Sequence, residues 1–220
     1  SISTLIVMRG IKGGLELAVK FMMPSLFIIL ICLCLFSLAQ GDSLEGIRFL
    51  FMPDFSKITP EVILAAIGQA FFSIGVGIGI MFTYGAYLPK NISLPNTCIT
   101  IAFSDTLVAI ISGLVIFPFV FSNGLDPSAG PSLVFITLPI AFGQMSGGEL
   151  IGIAFYLLLS FAALTSAISL LEVPVSWLEE KPNWTRKSAS LLIGSLVWLT
   201  GISSALSTNI LSDVYLLSFI

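Results

Sequence analysis

The chain has 220 residues, 56% of them hydrophobic and only 10% charged, with a formal net charge of −3 and a mean hydropathy of +1.07. A soluble domain is about 25% charged, so this composition leaves too little polar surface to face water and points to an integral membrane protein. The lack of any His removes imidazole metal ligands, His-based catalysis and histidine pH switches, and no basic patch fits a nucleic acid.

A bilayer span needs about 20 apolar residues, and the chain offers five such stretches. Residues 1–8 are apolar and read as the tail of an earlier span, with no cleavable leader pattern. The first full span is 18–38. Its Cys32 and Cys34, like Cys98 later, sit in or beside apolar stretches, where a thiol acts as a small hydrophobe rather than as part of a disulfide framework. The second span, 62–88, is interrupted by Ser73, Gly75, Gly77 and Gly79. Each interior Gly weakens a helix by about 1 kcal/mol relative to Ala, so a helix broken near 73–79 is expected. Unwound backbone survives at membrane depth only where protein or a cavity lines it, and glycine-interrupted spans mark binding sites near the midplane of secondary transporters.

The third span is 96–121. A loop at 122–150 follows, rich in Gly and Pro, with an apolar stretch at 133–142 too short to cross. That stretch reads as a helix dipping back onto a vestibule, or as a short helix lying at the lipid surface. The fourth span is 151–177 and the fifth 188–207. Residues 211–220 read as the start of a later span, and Asp213 as a loop acid. Both ends look cut.

Cations sort to one side. Arg9, Lys12, Lys20, Lys90, Lys181, Arg186 and Lys187 fall in or beside alternate loops (9–17, 89–95 and 178–187), against Arg48 and Lys57 on the other side. The positive-inside rule puts the first set in the cytoplasm and the 39–61 and 122–150 loops outside. On that orientation Asn91-Ile-Ser and Asn183-Trp-Thr are not glycosylation acceptors.

Three polar clusters lie at membrane depth: Gln69 with Ser73, Asp105, and Thr165 with Ser166. A carboxylate inside a span is costly and normally faces an ion, a partner or a cavity. Asp105 lies too deep to snorkel, so a cation ligand or proton carrier is the expected role; an ion pair with a partner from another span is the alternative. Sodium is a hard cation that takes oxygen ligands. Ser73 and Asp105 form one candidate sodium site. Ala162 (through its carbonyl), Thr165 and Ser166 form another, since positions i, i+3 and i+4 share a helix face. The competing reading of Thr165 and Ser166 is hydrogen bonding between helices or to their own backbone. Glu172 and Pro174 read as an interfacial acid with a kink, or as part of an inner gate. Gly75-Val-Gly-Ile-Gly is not a dinucleotide fingerprint, because no strand precedes it.

Met22-Met-Pro, Phe51-Met-Pro-Asp-Phe-Ser-Lys57, Gly68-Gln-Ala-Phe-Phe-Ser, Thr83-Tyr-Gly-Ala-Tyr87, Gly130-Pro-Ser-Leu-Val-Phe-Ile-Thr-Leu-Pro139 and Ala162-Ala-Leu-Thr-Ser166 together resemble the sodium-coupled neurotransmitter and amino-acid symporters. The resemblance implies an all-α, polytopic transmembrane bundle with a partial LeuT-type fold and a discontinuous helix at 62–88, running from the end of that family's fourth helix to about the start of its tenth. It further implies that Phe72 is the aromatic lid over the substrate, and that Gly75, Ile78 and Leu170 line the pocket for the substrate side chain. Ser73 and Asp105 would belong to the first sodium site. Ala162, Thr165 and Ser166 would belong to the second, with Ser166 also bordering the substrate.

Two departures from the family matter. Asp105 stands where the family usually has Asn, and Ala109 stands one turn later, where chloride-dependent members have Ser and a chloride-independent type has Glu. Chloride is therefore expected to be dispensable, its charge replaced by Asp105. Ile78 stands where some members have Phe, which with Gly75 suggests a roomy apolar pocket.

The function expected is sodium-coupled symport of amino acids or related small amines by alternating access, in a multi-pass protein of the plasma (cell inner) membrane and not an enzyme. The first and third helices of the family are absent from the chain, so the site needs the missing helices of the same protein or a partner chain. The alternatives are a truncated non-transporting protein, a half-transporter that works with a partner, and a proton-coupled carrier that uses Asp105.

Overall fold

A computed structural model describes residues 1–127, 130, 132–145 and 147–207. Pro131, the later span expected at 211–220 and Asp213 lie outside them. The described residues are helical, without strands. The described residues fold as two compact units, 1–20 with 164–207, and 21–163.

The larger unit takes in most of α2 (Glu16–Gln40), then α3 (Ser43–Phe51), α4 (Pro60–Ile74), α5 (Ile80–Ala86), α6 (Leu94–Ser122), α7 (Leu138–Gln144) and the first half of α8 (Gly148–Glu179). Its core joins Leu30 and Leu33 of α2, Val115 and Phe119 of α6, Leu138 and Phe142 of α7, and Phe155 of α8. Phe119, Phe142 and Phe155 form a chain of rings with centroids 5.7 and 5.6 Å apart.

One polar bond lies inside this packing. Ser37 Oγ, fully buried, donates to Val115 O at 2.7 Å, as most buried hydroxyls find an acceptor. Beside it α3 lies against α6. Asp42 caps α3 by accepting from Glu45 N–H at 3.2 Å, while its own N–H donates to Pro118 O at 3.1 Å. Gly41 and Gly46 both face Pro118, where an added Cβ would come within 2.7 and 2.9 Å of it. The missing side chains are what allow the approach.

The smaller unit comprises α1 (Ile2–Met8), a π turn at Ile11–Leu15, the second half of α8 and α9 (Arg186–Ser207). Its buried residues include Val7, Ile168, Leu171, Glu172, Val175, Ala189 and Ser190. At Gly194 an added Cβ would meet Thr4 at 2.5 Å, so α1 crosses α9 at close range.

Among the described residues four helices are long and apolar enough to cross a membrane: Ile11–Gln40, Leu94–Ser122, Gly148–Glu179 and Arg186–Leu206. The stretch read as a second span, 62–88, is two shorter helices. The apolar stretch at 133–142 is a helix docked on the core of the larger unit, with Leu138, Ala141 and Phe142 buried.

Candidate functional site: a glycine-broken helix beside a carboxylate

The site begins with how α4 starts and why it stops. Thr59 caps its N-terminus by accepting from Val62 N–H at 3.4 Å, and Pro60 occupies the first turn, where its missing N–H costs nothing. The helix runs to Ile74 and ends at Gly75, whose φ is +76°. Gly75 N–H closes on Phe72 O at 3.1 Å and Val76 N–H on Phe71 O at 2.9 Å. Gly77 and Gly79 follow with φ of +88° and +87°. Three left-handed residues within five are open only to Gly at low cost. The helix resumes as α5, where Thr83 N–H and Thr83 Oγ1 both donate to Gly79 O at 3.0 Å.

The break thus spans 75–79 rather than starting at 73. Ser73 remains in the last turn of α4, because the chain leaves the helix only at the first positive φ. That turn aims Ser73 Oγ at α6, where it donates to Asp105 Oδ1 at 2.6 Å. Ser73 is exposed and Asp105 partly so. The break borders an apolar hollow of about 230 Å³ lined by Gly75, Val76, Gly77, Gly79, Met81 and Phe82. Phe72 is 70% exposed and Ile78 40% exposed, while Gly75 is buried.

The other candidate group lies along α8, which is continuous through Ala162, Thr165, Ser166 and Leu170. Ala162 and Thr165 are half-buried; Ser166 and Leu170 are exposed. Ser169 Oγ donates to Thr165 O at 3.0 Å, and Ser160 Oγ to Tyr156 O at 2.7 Å. Back-bonding of hydroxyls therefore occurs on this helix, at Ser160, Ser169 and Ser176 among others. The fold thus brings Ser73 and Asp105 together from two helices and sets Ala162, Thr165 and Ser166 on one face of a third.

The sequence did not disclose what surrounds Glu172. Its side chain is wholly buried and paired with Arg186, Nη2 to Oε2 at 2.5 Å. Arg186 also reaches Glu179 Oε2 at 2.9 Å and Val7 O at 2.9 Å. In the sequence Arg186 is one loop cation among several. The available hint was an acid flanked by Leu171 and Val173 that needs a cation, with Lys181, Arg186 and Lys187 all within reach. Choosing among them takes the turn between α8 and α9, which brings Arg186 at the start of α9 beside Glu172.

An all-helical chain with membrane-length helices, a glycine break and a hydroxyl–carboxylate pair beside it defines a polytopic membrane protein with oxygen donors suited to a hard cation. The model of the sodium:neurotransmitter symporter family matches residues 1–219, and the chain belongs to that family. It is a family of sodium-coupled transporters rather than enzymes, and the chain is a multi-pass membrane protein. It is 42% identical over 216 residues to an uncharacterised sodium-dependent transporter, YhdH, of Bacillus subtilis, covering 98% of this chain and 48% of that protein. It is 39% identical over 214 residues to an uncharacterised sodium-dependent transporter of Haemophilus influenzae, covering 97% of this chain and 47% of that protein. The crystal structure of MhsT in complex with L-phenylalanine matches all of this chain and 50% of its own, with 45% identity and a TM-score of 0.87. The fold is therefore the LeuT type, as the resemblance implied. The chain spans about half the length of the curated relatives it matches.

Proposed function

We propose that these residues belong to a sodium-coupled amino-acid symporter of the plasma membrane that works by alternating access, contributing the part from the end of the fourth helix to the start of the tenth. The observation that carries this reading is the 2.6 Å Ser73–Asp105 contact at the edge of the helix break. It joins a negative charge, a hydroxyl and unwound backbone in one place, the oxygen set a hard cation selects. Sodium there would draw α4 toward α6 and order the break around the substrate. Thr165, Ser166 and the Ala162 carbonyl would supply part of a second sodium site. The ions drive closure only by binding the closed state more tightly than the open one.

The substrate would be a branched or aromatic amino acid. Its side chain would lie against Gly75, Ile78 and Leu170 under Phe72, and the solved relative bound to L-phenylalanine is consistent with that class. Chloride would not be required, because Asp105 carries the charge that chloride supplies elsewhere and Ala109 offers no hydroxyl to hold it. The loops 39–61 and 122–150 would face outward. The remaining ligands of both sodium sites would come from other helices of the same protein or from a partner chain.

The test is uptake into proteoliposomes at one fixed pH, with inward gradients of sodium or potassium, with and without chloride. Sodium-specific uptake of a large neutral amino acid, indifferent to chloride, is expected. Uptake driven by a pH gradient without sodium would replace this reading with proton coupling through Asp105. A requirement for chloride would remove the charge-replacement argument and leave sodium coupling standing.

A further inference from the structure

The segment Leu133–Gln144 opens with a π turn, Leu133–Thr137, before α7 begins at Leu138. In such a turn each carbonyl accepts from the N–H five residues on, and Leu133 O does so from Leu138 N–H. The next carbonyl in line, Val134 O, faces residue 139. That residue is Pro139, which has no N–H to offer. The donor of an ordinary helical turn, Leu138 N–H, is already given to Leu133. Val134 thus packs against the core of the larger unit with an acceptor its own segment cannot satisfy, and a carbonyl left so in an apolar interior is costly. The donor comes from α8. Tyr156 Oη donates to Val134 O at 2.7 Å, across 22 residues of sequence. The Tyr156 ring is set edge-on to Phe155, centroids 5.5 Å apart, and Phe155 packs on Phe142 of the same docked segment.

We propose that Tyr156 is the positioning residue of the Leu133–Gln144 segment: its hydroxyl stands in for the N–H that Pro139 lacks and latches the segment onto the core of residues 21–163. The segment leaves the core only by breaking this bond, so one hydroxyl on α8 sets how often it undocks. The inference does not rest on sodium coupling. It is read by hydrogen exchange rather than uptake, so its failure would leave the symport reading untouched.

The experiment compares amide exchange by mass spectrometry in lipid nanodiscs for the parent chain, Tyr156→Phe, Pro139→Ala and the double variant. Exchange of a buried amide reports how often its segment opens. In Tyr156→Phe the amides of Leu138, Ala141 and Phe142 are expected to exchange about tenfold faster, the scale of one hydrogen bond, while those of Leu30 and Leu33 keep the parent rate. Pro139→Ala returns a donor at position 139, so the double variant is expected to regain the parent protection. Equal exchange in parent and Tyr156→Phe overturns the proposal. So does a general loosening that includes Leu30 and Leu33, and so does faster exchange that Pro139→Ala fails to reverse, since ring packing and not the missing donor would then be at work.

Discussion

Ser73 and Asp105 are 32 positions apart, and each is legible in the sequence by itself, as a hydroxyl and an acid at a depth where neither is comfortable. The sequence and the resemblance already put the two in one candidate site; the direct hydrogen bond between them depends on how α4 lies against α6. If the pair binds sodium, Ser73→Ala should raise the sodium concentration for half-maximal uptake about tenfold, which corresponds to about 1.4 kcal/mol. Asp105→Asn should cost more, because it removes the charge. Sodium titrations of uptake would show this, and an unchanged titration in either variant would remove that residue from the site. Gly75 makes a separate demand. At φ +76° a Cβ is strained by about 1–2 kcal/mol, so Gly75→Ala should weaken the break and lower the protein's melting temperature in detergent. Gly68 has open space for a Cβ and no positive φ, so Gly68→Ala is the matched control and should leave it unchanged or raise it.

At the scale of elements, helix ends are written locally and helix pairings are not. The N-terminus of α4 follows from Thr59 and Pro60, and its end from Gly75. The close approach of α3 to α6 follows from residues that say little alone. Gly46 in α3 is an ordinary surface glycine until Pro118 is set 2.9 Å from where its Cβ would stand, with the Pro118 backbone nitrogen as near as its ring. Backbone cannot swing aside as a side chain does, so Gly46→Ala should cost about 1–3 kcal/mol by overpacking. Thermal unfolding in detergent would measure it, and a neutral result would mean that α3 shifts freely on α6. The Glu172–Arg186 pair ties α8 to α9. Arg186→Ala would take the paired cation away from a wholly buried carboxylate, a loss of about 3–5 kcal/mol. Arg186→Ala with Glu172→Gln should recover part of it, because no buried charge is then left behind. Equal losses in the single and double variants would mean that Arg186 matters through Val7 O and Glu179 instead.

Across the whole molecule the sequence alone established the class of protein. Hydropathy summed over some 20 residues names a membrane helix whatever its neighbours are, and three alternating glycines name a break, because a positive φ is a property of single residues. The resemblance drawn from short motifs reached the family for the same reason. The proposed sites carry a consequence at this scale: if the other ligands of each sodium site lie on further helices, these 220 residues alone should show no sodium-driven uptake in proteoliposomes, while a protein of the length of its relatives should. Uptake by the 220 residues alone would mean that Ser73, Asp105, Thr165 and Ser166 suffice. Only the tertiary structure decided which polar group meets which. Ser37 with Val115, Glu172 with Arg186 and Tyr156 with Val134 are joined across 78, 14 and 22 residues. In an apolar interior most buried donors and acceptors are paired, so the sequence announces the need. Which partner answers depends on helix crossings set by packing, and packing is a property of the assembled chain rather than of any stretch of it.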